Sequence, residues 1–261
     1  MPELTDNKGK TSHAAGARSR ESAPRNTHAK VYELLQAHMT SGNVLDIPCG
    51  SGAFLRRLQQ GAYTCYGADI AAHPAIPREA TFVQTNMNDT LPFDDDRFDA
   101  VVSIEGIEHI RRPFDFVNEC ARILKPGGLL FLTTPNISSL RSRWRWLLTG
   151  FHNKGNCPLD ETNPLPRHHI NLLSYPQLRY MLHTAGLRIE QRHTSRIKAA
   201  AWFYAPFWPL ARTITQWVVW RGAKNAAMAA LFREIHRELY TLPVSFGDNI
   251  ILIARKPEDA Q

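Results

Sequence analysis

The sequence predicts an α/β fold: a seven-stranded, mostly parallel sheet with helices on both faces and an aromatic-rich insertion before the last strand. Three observations predict it. Short apolar runs alternate with segments of helical periodicity along most of the 261 residues. The connections between them are short, as in sheets whose parallel strands are joined by helical crossovers. The first strand-like run enters a Gly50-Ser51-Gly52 loop and then a helix, the place where a doubly wound sheet meets its ligand.

Residues 1–28 are rich in Ser, Thr, Ala, Gly, Lys and Arg, with almost no large apolar side chains, and are expected as a disordered basic arm. A core domain follows over 29–196. Val31, Leu34, Leu35 and His38 recur at helical spacing between Ala29 and Met39. Val44-Leu45-Asp46-Ile47 reads as a short buried strand, and Phe54, Leu55 and Leu58 as a helix for which Gly61 offers a left-handed stop. Strands are expected at 64–69, 81–84, 98–104 and 129–134. A helix carrying Phe114, Val117, Ala121 and Leu124 separates the last two and must end at Pro126-Gly127-Gly128. Ser174 caps a helix through Leu178, Met181, Leu182 and Ala185, closed by Gly186, ahead of strands at 187–194 and 249–256. The insertion spans 197–246, leaving 247–261 for the last strand and tail.

With 43% apolar and 21% charged residues, the chain has ordinary globular composition, which excludes collagenous, fully disordered and disulfide-scaffold classes. Its net charge of +7 points to an anionic partner: nucleic acid, an acidic substrate or a membrane surface. Cys49, Cys65, Cys120 and Cys157 show no metal-binding spacing, so a reduced, cytoplasmic setting is expected. The stretch from Met1 to Asp6 lacks the apolar run of a secretory signal.

Glycines let a ligand approach the backbone, and the following helix N-terminus offers free N–H groups. Asp69 ends the next strand about 20 residues after the loop, where a carboxylate accepts from ribose hydroxyls. Together these predict a nucleoside-containing ligand on a Rossmann-like sheet. A dinucleotide fingerprint wants a third glycine where Leu55 stands and an apolar residue where Asp46 stands, because pyrophosphate repels a carboxylate. An acid before the glycines suits an ammonium group, which favours S-adenosyl-L-methionine over NAD.

The run from Val44 to Gly52 resembles the first motif of class I S-adenosylmethionine-dependent methyltransferases. Asn88 to Phe93 with Arg97 to Val101, then Glu108-His109 and Leu124 to Gly128, resemble later landmarks of their small-molecule branch, which includes quinone-precursor and sugar methyltransferases. The resemblance implies a methyltransferase, with Asp46, Pro48, Cys49, Gly50 and Gly52 around the methionine portion. It places Asp69 and Ile70 at the ribose, Asn86 and Met87 at the adenine, and Ile104 with Glu105 at the transfer site. Pro48 and Asn86 depart from the usual glycine and aspartate.

Methyl transfer to a hydroxyl benefits from a general base. The candidates are Glu105, Glu108, His109, His168 and His169; His168 and His169 lie in a Pro-rich loop where a lid would sit, and Glu108-His109 reads more often as a structural pair organising the turn after the fourth strand. Without clustered Asp/Asn ligands no metal is expected. All six tryptophans fall at 144, 146, 202, 208, 217 and 220, close to arginines and lysines. The uncharged run 199–211 holds Pro206 and Pro209 and is too short to span a bilayer, but suits its interface; the other reading is a lid or homodimer surface. Glu105-Gly106 stands where nucleobase-modifying enzymes carry an Asn-Pro-Pro-aromatic motif, which disfavours nucleic acid. The expected function is O-methylation of a small or lipid-linked acceptor, peripheral at the inner face of a membrane. The alternative is a catalytically silent cofactor-binding scaffold.

Overall fold

The computed structural model describes residues 23–153 and 158–258. Its strands are β1 (Ser41–Asp46), β2 (Ala62–Asp69), β3 (Thr81–Gln84), β4 (Phe98–Ile104), β5 (Leu124–Pro135), β6 (Arg188–His193) and β7 (Asn249–Arg255). Helices are α1 (Thr27–His38), α2 (Ala53–Leu58), α3 (Pro113–Ile123), α4 (Leu140–Thr149), α5 (Tyr175–Thr184), α6 (Trp208–Gly222), α7 (Ala226–Leu239) and α8 (Leu242–Phe246), with 3₁₀ segments at Ile107–His109 and Ala199–Phe207. One seven-stranded sheet runs β3-β2-β1-β4-β5-β7-β6. Strands β1 to β5 pair in parallel, and β7 is antiparallel to both neighbours.

Along the central strands successive side chains enter opposite layers. Leu45, Val101, Leu130 and Leu252 pack with Phe116 and Val117 of α3 and with Leu178 and Leu182 of α5. Val44, Ala100, Val102 and Phe131 pack on the other face with Val31 and Leu35 of α1 and with Phe54, Leu55 and Leu58 of α2. Burial on both faces is why these strands read as continuous apolar runs. Gly186 takes the left-handed conformation (φ +85°) after α5, whose start is tied by the Ser174 N–H donating to Gln177 Oε1 at 2.9 Å. Gly61 does not: α2 ends at Leu58, and a tight turn with Gly61 N–H on the Leu58 carbonyl leads directly into β2.

Most of the basic arm lies outside the described residues. Its last part is ordered, because α1 begins at Thr27, with Thr27 and His28 buried. Pro135 of β5 registers with Asn249, and His193 of β6 with Ile251 of β7. The chain therefore leaves β6 and enters β7 at the edge where β5 ends, so the insertion stands on the same edge as the Gly50 loop. Glu238 anchors it: this buried carboxylate receives the Tyr175 hydroxyl at 2.7 Å and pairs with Arg179 at 3.3 Å and with Arg192. Helix α6, by contrast, has no buried residue, and Leu210, Ile214, Trp217 and Val218 form an exposed stripe along it.

Candidate active site

Strand order reverses between β1 and β4, and at their carboxyl ends a cavity of about 410 Å³ opens. The loop after β1 supplies Asp46, Pro48, Cys49, Gly50 and Ser51 to its wall; β2 supplies Asp69, and the end of β4 supplies Ile104 and Glu105. His109, His169 and the N-terminal Ala23, Pro24 and His28 complete it. Gly50 sits at φ +51°, and a Cβ built on it meets nothing within 4 Å, so this wall is bare backbone open to a ligand. A Cβ on Gly106 would collide with the Pro48 ring, so glycine there lets the β1 and β4 loops touch.

Two carboxylates, Asp46 at the end of β1 and Asp69 at the end of β2, line the cavity. Asp69 Oδ2 accepts the Gly50 N–H at 2.8 Å and Oδ1 accepts the Ile70 N–H at 2.7 Å, which pins the glycine loop to the end of β2. Each oxygen keeps a lone pair for a ribose hydroxyl. Asp46 is 2% exposed, and its Oδ2 has no hydrogen-bond partner. Burial first, and the Asp69 charge second, hold its carboxyl well above the usual range. A buried acceptor of this kind calls for a cationic donor, and the ammonium of S-adenosylmethionine meets that need. The residues fit the cofactor. Cys49 is inert by comparison, since burial and both carboxylates push its thiol up.

The cavity lining also includes Glu105, His109 and His169. Glu105 follows β4 at φ +50°, a left-handed conformation for a side-chain-bearing residue. Its backbone N–H donates to Thr133 Oγ1 at 3.0 Å, and that hydroxyl donates to Glu105 Oε1 at 3.0 Å. Asn249 Nδ2 also reaches Oε1, at 3.4 Å, while donating to Thr27 Oγ1 at 3.1 Å. The His109 and His169 rings meet edge-on with centroids 4.7 Å apart. His109 Nδ1 lies 3.1 Å from the His168 carbonyl, and burial holds this histidine below its usual pKa. Glu108, fully buried beneath them, accepts from Thr134 Oγ1 at 3.1 Å.

Of the residues expected at the cofactor, Asp46, Pro48, Cys49, Gly50, Asp69 and Ile104 line the cavity. Gly52 caps α2 against Pro77 and Ile76. Ile70 is 53% exposed and Met87 is buried in the core. Asn86 is exposed, its amide oxygen taken by Asn88 N–H and Nδ2 at 3.0 and 3.1 Å. Among the expected catalytic residues, Glu105 and His169 line the cavity; His168 does not, and contributes its carbonyl to His109. His109, one of the candidate bases and read more often as half of a structural pair, lines the wall, as does His28, whose only sequence signal is a histidine beside a helix start.

Fold and site together define an S-adenosylmethionine-binding α/β enzyme of the seven-stranded type. The chain belongs to the methyltransferase domain family, which it matches over residues 19–192. A probable S-adenosylmethionine-dependent methyltransferase of Mycolicibacterium smegmatis is 28% identical over 167 residues, covering 62% of this chain and 58% of that one. The mitochondrial ubiquinone biosynthesis O-methyltransferase of Rattus norvegicus is 32% identical over 109 residues, covering 37% and 32%. The chain thus spans less than two thirds of the length of these relatives. Among solved structures, a chain of the complex between a Haloferax volcanii methyltransferase activator and a methyltransferase superposes with a TM-score of 0.54 at 20% identity, covering 91% and 92%. The Burkholderia thailandensis 1,6-didemethyltoxoflavin-N1-methyltransferase, solved with S-adenosylhomocysteine, gives 0.54 at 11% identity, covering 89% and 80%. These likenesses show the fold.

Proposed function

We propose that the acceptor atom is a hydroxyl oxygen on a small or lipid-linked molecule, methylated by an enzyme attached to the surface of an anionic membrane leaflet. The observation that carries the oxygen assignment is Glu105, a carboxylate held at the end of β4 on the cavity that also holds Asp46 and Asp69. S-adenosylmethionine supplies an activated methyl group, whose carbon–sulfur bond breaks with its electron pair left on sulfur as the acceptor oxygen bonds to carbon. Asp46 and Asp69 hold the cofactor, and Glu105 receives the hydroxyl proton. His169 orients the oxygen, and Ile104 with Pro48 closes the wall around the line of transfer. The partial similarity to ubiquinone biosynthesis O-methyltransferases supports an oxygen acceptor.

The membrane assignment rests on the insertion and α4. No helix among the described residues is long and apolar enough to cross a membrane. Trp144 of α4 stacks on Phe207 at 5.0 Å, joining the two elements. On them Trp146, Leu147, Leu148, Trp202, Phe203, Trp217 and Trp220 are each more than half exposed. No Asp or Glu occurs between Glu119 and Asp160 or between Glu190 and Glu234, whereas Arg141, Arg143, Arg145, Arg212, Arg221, Lys224 and Arg233 do. Exposed aromatic rings among uncompensated cations complement an anionic leaflet, as the cytoplasmic one is. Purified protein incubated with quinone precursors, lipid-linked glycans and envelope lipids should form S-adenosylhomocysteine and a product heavier by one methylene. Cofactor binding without turnover on any of them would favour the scaffold alternative.

A further inference from the structure

Glu108, His109 and His169 each offer one ligating atom, and these atoms lie within 4.8 Å of one another beside the cavity wall. We propose that the three side chains hold a divalent first-row cation (zinc, manganese or cobalt) whose open positions face the cavity and take the acceptor oxygen. The proposal rests on the methyl-transfer reading and supplies what that reading lacks. An ordinary carboxylate, with a pKa of about 4.3, is a weak base toward a phenol of about 10. Coordination removes the mismatch, much as zinc lowers the pKa of bound water from about 15.7 to about 7. The O–H proton then passes to Glu105 and the oxygen is left ready to bond to the methyl carbon.

Geometry and chemistry agree with a cation. Ligands about 2.1 Å from a tetrahedral metal stand about 3.4 Å apart, so side-chain rotations that move the ligating atoms by about an ångström close the set. Two imidazoles with one carboxylate suit zinc, cobalt or manganese better than magnesium or calcium. Three protein ligands leave positions for substrate, as catalytic sites require. The His168 carbonyl, 3.1 Å from His109 Nδ1, holds the tautomer that aims the Nε2 lone pair outward, the usual support of a ligating histidine. Thr134 fixes one oxygen of Glu108, and the Asn171 N–H donates to the Glu108 carbonyl at 3.0 Å, tying the His169 loop to the Glu108 turn. The sequence predicts no metal because His169 lies far along the chain from its partners.

The test is cobalt titration of chelator-treated, tag-free full-length protein. One cobalt ion per chain should bind with visible d–d absorption, and turnover lost on chelation should return with zinc or manganese. Glu108→Gln and His169→Ala should bind cobalt at least tenfold more weakly, while His168→Ala, whose carbonyl is unchanged, should bind as wild type does. S-adenosylhomocysteine affinity within twofold of wild type shows that the variants are folded. A wild type that gives no absorption overturns the proposal, as do Glu108→Gln and His169→Ala variants that bind cobalt undiminished. Failure of wild type to bind S-adenosylhomocysteine would instead strike the methyl-transfer reading, so the two failures are distinct.

Discussion

Thr133 clamps Glu105 at two points: its hydroxyl accepts the Glu105 backbone N–H and donates to the Glu105 carboxylate, each at 3.0 Å. Both atoms of Glu105 are thereby set in a left-handed turn that its own side chain would not favour (φ +50°). Thr133 is fully buried and is not among the residues that line the cavity. Thr133→Val should lower kcat about tenfold, ~1.4 kcal/mol of barrier, with S-adenosylhomocysteine affinity within twofold. Thr133→Ser should restore the rate. A valine variant as fast as wild type would mean that the carboxylate needs no such support.

With Asp46 at the cofactor ammonium, as proposed, cofactor affinity should depend on pH. Its pKa lies above 3.8 in the free protein, raised by burial and by Asp69, and an ammonium group beside it favours the ionised form. Affinity should therefore rise with pH across a window displaced upward from the usual carboxylate range, and then level off. Asp46→Asn should abolish that rise and weaken binding by about 1.5–3 kcal/mol, the range of charge-assisted hydrogen bonds. Stability moves the other way. A carboxyl whose folded pKa exceeds its unfolded value destabilises the ionised protein, so the ligand-free Asn variant should melt higher at neutral pH. Calorimetry from pH 5 to 8 with parallel thermal melts checks both signs.

The insertion is anchored through Glu238, whose carboxylate serves Tyr175, Arg179 and Arg192 at once. Glu238→Ala leaves Arg192 without this carboxylate in a half-buried position, at a cost of about 3 kcal/mol, seen as a lower melting temperature. Nearby His183 is held to a pKa of about 4 by burial and by Arg179 and Arg188. Its folded pKa is depressed, so the folded state binds fewer protons than the unfolded one. Stability should accordingly fall as pH drops from about 6.5 to about 4, and His183→Gln should flatten that slope. An unchanged slope in the variant would assign acid sensitivity to other groups.

How much of this was legible follows from physical causes. The central strands could be read because burial on both faces gives runs such as Val101-Val102 and Leu129-Leu130-Phe131. Asp46 and Asp69 could be placed because they flank a glycine loop at strand ends. The convergence of Glu108, His109 and His169 could not, since only the fold brings the loop at 169 over the turn at 108. Asn249, which steadies Glu105 from β7, is equally remote in sequence. Ala23 to His28 were hidden by composition, as a polar stretch can still fold over a cavity mouth. Helix α6 escaped detection because its apolar stripe points away from the core, and proline-broken aromatic runs obscure its period.

That outward stripe leads to the membrane test, and the structure decides which tryptophans to change. Trp208 does not serve: it is half-buried, its Nε1–H donates to Ser245 Oγ at 3.2 Å, and its ring packs edge-on against Tyr240. Removing it would loosen the insertion itself. Phe203, Trp217 and Trp220 are 75%, 56% and 73% exposed, so their loss costs the fold little. Arg221 lies 4.5 Å from the Trp217 ring centre, placing a cation beside the ring at the level where headgroups would sit. Rings bury their apolar bodies at the interface, and each nearby cation adds about 1 kcal/mol on an anionic surface. Wild type should float with anionic vesicles at low salt, less so at high salt, and little with neutral ones. A Phe203→Ser, Trp217→Ser, Trp220→Ser variant should remain at the bottom of the gradient while keeping its melting temperature and cofactor affinity. Wild type that stays down with anionic vesicles at low salt would show that this face covers a lid or a second copy of the chain instead.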